Sequence, residues 1–117
     1  LGEILLDIRF TSKGTTLITD MSGELDHHYS EYAGRKIDSE IMKSTTRNVI
    51  FDLTKLGFMD SSGIGVIAGR YRNISKLGGK SAIVCHNTQI NRILEMSGIF
   101  RLIPSYESLD AAVKALQ

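Results

Sequence analysis

Apolar and polar positions repeat with two different periods along this chain, and the switches between them outline its elements. Glu3 to Phe10 and Thr15 to Met21 are β-leaning stretches separated by Thr11, Ser12, Lys13 and Gly14, a composition and length that suit a hairpin turn. After Gly23 the spacing changes. Between His27 and Ser44, Ala33, Ile37 and Ile41 recur at four-residue steps behind Tyr29, which predicts an amphipathic helix with Asp26 placed to cap it. Asn48 to Leu53 and Lys80 to Cys85 are short, largely apolar runs that suit strands covered on both faces. Between them Ile64, Ile67, Tyr71 and Ile74, with Leu77 at the edge, mark a helix that Gly78 and Gly79 end. Its opposite face then holds Ser62, Gly65, Gly69, Arg72 or Asn73, and Lys76. Asn87 can cap a helix through Ile90, Ile93 and Leu94 that stops at Gly98, and Ser105 can cap another through Leu109, Ala112, Val113 and Leu116. A short strand at Arg101 to Ile103 fits between them.

The order β-β-α-β-α-β-α-(β)-α predicts an α/β fold in one domain over residues 1–117: a mixed sheet of four to five strands with about four helices. At 117 residues, 42% hydrophobic and 23% charged, the chain has material for one core and little for disorder. Its formal charge of +1 gives no electrostatic case for direct contact with nucleic acid. Residues 1–60 carry seven Lys+Arg against ten Asp+Glu, whereas residues 61–101 carry six basic side chains against Glu95 alone. Such asymmetry most simply reflects two differently solvated faces. The single cysteine, Cys85, excludes an internal disulfide and, with three histidines, a dense metal framework; a reducing, cytoplasmic setting is expected. The apolar runs are too short to span a bilayer, and no basic-then-apolar leader opens the chain.

Several chemical motifs fail on physical grounds. Gly63, Gly65 and Ala68 fit G-x-G-x-x-A, but no acid follows between Asp60 and Glu95 to hold a ribose. Gly79-Lys80-Ser81 has Ile74 where a phosphate loop needs its first glycine, and it joins a helix to a strand, the reverse of the required order. Asn73, Ile74 and Ser75 form a glycosylation sequon inside a helix. A serine hydrolase built from Asp60, Ser61, Ser62 and the pair His27-His28 lacks the G-x-S-x-G elbow and any identifiable base. Cys85 closes an apolar strand, as a buried structural thiol does.

The block Phe58 to Gly65 sits at a strand-to-helix junction. Asp60, Ser61 and Ser62 are all capping residues, so a well-capped helix is the plain reading. Gly65 and Gly69 require more, because each costs about 1 kcal/mol relative to alanine inside a helix and by phase both point away from the core. They leave a flat strip, beginning at the serines, along which another protein can approach closely. The strip also sets a serine hydroxyl at the positive end of a helix dipole, where added phosphate is tolerated.

The stretch FMDSSGIGVIAGRYRNI from Phe58 to Ile74, with Gly23-Glu24-Leu25-Asp26-His27-His28 and Met96-Ser97-Gly98-Ile99-Phe100, resembles the STAS-domain anti-sigma factor antagonists. Within that family it is most similar to the sporulation members that release sigma factor F; Tyr29 to Thr46 matches in pattern only. The resemblance implies a cytoplasmic switch protein, not an enzyme. Its unphosphorylated form would bind an anti-sigma factor that is also a serine kinase and displace the sigma factor. Phosphorylation on the first serine after the aspartate, here Ser61, would switch binding off, and a serine phosphatase would restore it. Asp60, Ser62 and Gly63 would shape the turn that presents Ser61, the block with Glu24 and Asp26 would lie beside it, and these five would contact the partner together with the docking surface of Gly65, Gly69, Arg72 and Asn73. ATP and Mg²⁺ would belong to the partner, so this chain would need no cofactor and no membrane.

Overall fold

The computed structural model describes residues 5–117. Strands β1 (Leu6–Lys13) and β2 (Thr16–Leu25) form the expected hairpin, joined by a two-residue turn at Gly14 and Thr15 with Gly14 at φ +59°. There follow α1 (Ser30–Lys43), β3 (Asn48–Met59), α2 (Ser61–Lys76), β4 (Ser81–Val84), α3 (Thr88–Ser97), a 3₁₀ turn at Ile99–Arg101, β5 (Ser105–Tyr106) and α4 (Leu109–Leu116). The five strands lie in sequence order, β1 antiparallel to β2 and every later pair parallel. The predicted mixed α/β sheet with four helices is therefore the observed one. The predicted first-strand residue Glu3 lies outside the described residues.

Period-two alternation divides the core between the two sheet faces. Leu17, Met21, Val49, Phe51 and Leu53 face α1, α2 and α3, which contribute Ala33, Ile37, Val66, Ile67, Ile74, Ile90 and Leu94. Ile18, Ile50, Ala82 and Val84 face α4 through Ala112, Val113 and Leu116. β3 and β4 thus have apolar neighbours on both sides, which accounts for their nearly continuous apolar runs. No helix of the described residues is long and apolar enough to cross a membrane.

Four boundaries differ from the sequence reading, each for a local reason. β2 and β3 run on to Leu25 and Met59 through pairing irregularities between Asp20 and Ser22 and between Gly23 and Glu24. α1 starts at Ser30, not His27: the Asp26 carboxylate accepts the His28 and Tyr29 N–H groups and caps a turn ahead of the helix, whose own N-cap, Tyr29, supplies no side-chain bond. The strand expected at Arg101–Ile103 is displaced because Gly98, at φ +80°, turns the chain and the Leu102 and Ile103 amides both close back on the Ile99 carbonyl. Pairing with β4 starts only where the Pro104 carbonyl accepts the Ile83 N–H. Ser105 is consequently a strand residue, and Ser108 caps α4 by accepting the Ala111 N–H at 3.0 Å.

Candidate functional site around Ser61

The extended pairing of β2 with β3 sets Glu24 beside Phe58 and Leu25 beside Met59, so both chains leave the sheet at the same end. Asp60 joins them. One carboxylate oxygen, Oδ1, accepts the Ser62 N–H at 2.9 Å and caps α2; the other, Oδ2, accepts the His27 N–H at 3.1 Å across 33 residues of sequence. The Asp60 N–H in turn donates to the Leu25 carbonyl at 3.3 Å. Partial burial pushes the Asp60 carboxyl up, but the His27, Ser62 and Gly63 donors outweigh it and hold the group below its ordinary value near 3.8.

A folded-state value below the unfolded one makes this contribution to stability complete above about pH 4. It is lost as pH falls through the lower folded value. Asp60→Ala is accordingly expected to cost about 0.5–2 kcal/mol at pH 7 through the lost cap. The difference from the parent, read by urea unfolding, should shrink below about pH 4; a difference that grows in acid would contradict the sign.

Ser61 is the first residue of α2 and is exposed. Two amides at this helix end are occupied, Ser62 N–H by the Asp60 carboxylate and Gly63 N–H by the Asp60 carbonyl at 3.0 Å, which leaves the Ser61 N–H. The helix end therefore offers a phosphate on Ser61 its dipole and few free donors. A phosphoryl group on Ser61 would face solvent next to a carboxylate whose two oxygens are both engaged. His27 does not complete a hydrolytic triad. Its Nδ1 lies 3.9 Å from Asp60 Oδ2, beyond hydrogen-bond range, and no hydrogen bond joins it to Ser61 among the described residues. Among those residues no group of three His, Cys, Asp or Glu could hold a metal.

The helical phase of α2 is slightly rotated from the sequence reading. Gly63, Val66, Ile67 and Ile74 are its buried residues, whereas Ile64 and Tyr71 are half-buried and Leu77 is exposed. Gly63 is therefore not docking surface: a Cβ there would lie 2.6 Å from Met59 Cγ and 3.1 Å from the Leu25 carbonyl oxygen. It is the glycine that lets the first turn of α2 settle onto the ends of β2 and β3. Gly65 and Gly69 are different, since a Cβ at either meets nothing within 4 Å. Arg72 and Asn73 are exposed but lie eleven and twelve residues along the helix, about 17 Å from Ser61 at 1.5 Å per residue. Glu24, Asp26, Asp60, Ser61 and Ser62 are thus gathered at one end, with Arg72 and Asn73 at the far end of the same helix.

Two contributors were missed from the sequence. Phe58, 48% exposed, places an aromatic ring at the Ser61 end of β3; alternation from buried Leu56 would have put it inside, and the strand breaks that alternation with Gly57 and Phe58 both exposed. Arg70, next to Gly69, lies across α1, where a Cβ on Gly34 would come within 2.5 Å of its guanidinium, and forms an ion pair with Asp38 at 3.0 Å without hydrogen-bond alignment. That contact fixes α2 against α1.

Comparison with known proteins bears on this arrangement. The family model for the STAS domain matches residues 7–112. The chain is 38% identical over 112 residues, 96% of each sequence, to a protein of Paenibacillus polymyxa named anti-sigma F factor antagonist. In fold it resembles an anti-sigma factor antagonist from Mycobacterium paratuberculosis, with a TM-score of 0.86, 22% identity, and coverage of 95% of this chain and 93% of that one. It also resembles the Bacillus cell fate determinant SpoIIAA in its phosphorylated form, with a TM-score of 0.73, 24% identity, and coverage of 95% and 100%.

Proposed function

The chain belongs to the STAS domain family, among the anti-sigma factor antagonists, and from that premise we propose that it is a binding protein switched by phosphorylation of Ser61. Unmodified, it binds an anti-sigma factor that is also a serine kinase and so releases a sigma factor, as part of transcriptional control in sporulation. The kinase, supplying ATP and Mg²⁺, phosphorylates Ser61 and ends the interaction; a serine phosphatase reverses it. The reaction is cytoplasmic and this chain needs no cofactor for it.

One observation carries the reading: the exposed Ser61 hydroxyl opens a helix whose outer face is left open by Gly65 and Gly69. Asp60 holds that helix start and the Asp26–Tyr29 turn in one piece. A kinase needs an accessible hydroxyl on a surface it can lie against, and both are present. The relatives named as antagonists, one of them solved in a phosphorylated form, support the same role. Incubation with the cognate anti-sigma factor and ATP should add one phosphate, located on Ser61 by fragmentation mass spectrometry. Modification mainly at Ser62, or ester hydrolysis that disappears in Ser61→Ala, would overturn it.

A further inference from the structure

At the end of the sheet opposite Ser61, three cations on three separate elements line one cleft of about 590 Å³: Lys13 at the end of β1, Arg47 just before β3 and Lys80 just before β4. β3 separates the two ends. Its 12 residues, at about 3.3 Å from one to the next, set its two ends about 36 Å apart. No Asp or Glu lines the cleft, and none of the three cations pairs with a carboxylate among the described residues.

The walls are held by the backbone. The Arg47 and Asn48 amides both donate to the Thr15 carbonyl, at 2.8 and 3.0 Å. Buried Asn48 forms the floor: its amide donates to the Leu116 carbonyl at 3.1 Å and to Thr16 Oγ1 at 3.4 Å, and its Oδ1 accepts the Lys80 N–H at 2.9 Å. Compensation of helix dipoles explains the cations only in part. α2 and α4 both end at this pole, and Arg47 Nη2 reaches the Gly78 carbonyl just past α2 at 3.5 Å, but Lys76 and Lys114 already occupy the last turns and no side-chain hydrogen bond ties Lys13 or Lys80 to either helix end among the described residues.

We propose that this cleft binds a small free phosphate compound carrying two or more negative charges on neighbouring oxygens. Arg47 offers a planar guanidinium suited to two phosphate oxygens, held here by a long 3.5 Å contact to the Gly78 carbonyl, and Lys13 and Lys80 line the same cleft as point charges. Thr15 and the open space at Gly14, where a Cβ would meet nothing within 4 Å, continue the lining on one side, and Leu116 and Gln117 on the other. Three cations lining one concave site favour a multiply charged free anion over the singly charged phosphodiester of a membrane lipid. The site is remote from Ser61 and does not depend on the functional reading given above.

The test is an amide NMR titration of the full chain with inorganic pyrophosphate, with orthophosphate and phosphatidylglycerol vesicles as parallel arms. Pyrophosphate should cause saturable shifts at residues 13–16, 47–48 and 78–80 while residues 58–66 stay still, and it should bind more tightly than orthophosphate. Arg47→Gln with Lys80→Gln, two exposed side chains whose loss leaves the core untouched, should weaken it by about tenfold or more. Lys13→Gln alone provides a milder variant should the double one melt early. Non-saturating shifts, shifts spread over lysines elsewhere, unchanged affinity in both variants, or binding to vesicles without binding to pyrophosphate would each overturn the proposal.

Discussion

Phosphorylated on Ser61, the protein is expected to bind its anti-sigma factor about 30- to 3,000-fold more weakly than the unmodified form. Phosphate adds about −1.5 to −2 charge at neutral pH. At Ser61 it finds few free amides in the first turn, because the Ser62 and Gly63 N–H groups are bonded to Asp60, which leaves the Ser61 N–H without a partner among the described residues. The Asp60 carboxylate cannot swing aside without releasing both the helix cap and the His27 amide. The dianion therefore points outward beside Asp60, with Glu24 and Asp26 on the adjoining strand end and turn. A partner must desolvate it or stand off. Mispaired charge at an interface costs about 2–5 kcal/mol, which at about 1.4 kcal/mol per decade gives the stated range. Ser61→Asp, with less charge and bulk, should bind weakly as well. Because the cap, the Asp60–His27 bond and the Gly63 packing do not depend on the Ser61 hydroxyl, no refolding is expected. Amide NMR shifts on phosphorylation should be confined to residues 58–66 and the adjoining turn at 24–29. Changes spread through the sheet would point to a conformational switch instead.

Substitution of glycine by alanine should change stability in opposite directions at positions only a few residues apart. At Gly79 a Cβ would fall 1.7 Å from the Arg47 carbonyl oxygen, a backbone atom on the neighbouring segment, so the two segments must separate. A loss of about 3 kcal/mol or more is expected for Gly79→Ala, and about 1–3 kcal/mol for Gly63→Ala, where the Met59 side chain can yield in part. Gly65→Ala and Gly69→Ala should each gain about 0.5–1 kcal/mol, since both sit in helix and face open space. Against a total near 5–15 kcal/mol these are large differences, readable as shifts of roughly 4 °C per kcal/mol in thermal melts. Gly65→Gln and Gly69→Gln should keep the fold and weaken complex formation. Unfolding of Gly69→Ala would show that α2 packs through that glycine and would remove the open strip from the account.

Much of this was legible in the sequence where local chemistry decides local structure. Asp60 and Asn87 are caps because their side chains reach amides two or three residues on, and Gly98 stops α3 because it adopts a positive φ. The open strip at Gly65 and Gly69 also followed from spacing alone. What sequence could not supply were effects created by contact between distant segments. The Asp60–His27 bond exists because β2 and β3 continue past their apolar runs, and that continuation depends on pairing irregularities with no sequence marker of their own. Gly63 looked like its neighbours on the helix until Leu25 and Met59 were set against it. Asp26 has the composition of a helix cap, but the turn it stabilises holds the chain back until Ser30. Ser105 and Ser108 compete for the same role in front of α4, and strand pairing beside Pro104 decides between them.

The central claim, that one hydroxyl controls partner binding, is tested most directly by a calorimetric titration of the cognate anti-sigma factor with protein pre-incubated with kinase and ATP, run beside Ser61→Ala treated identically. The account predicts that the treated wild-type protein loses at least about 30-fold in affinity, while Ser61→Ala binds as tightly after treatment as before. Equal loss in Ser61→Ala, or undiminished binding by wild-type protein shown by mass spectrometry to be fully phosphorylated, would contradict it.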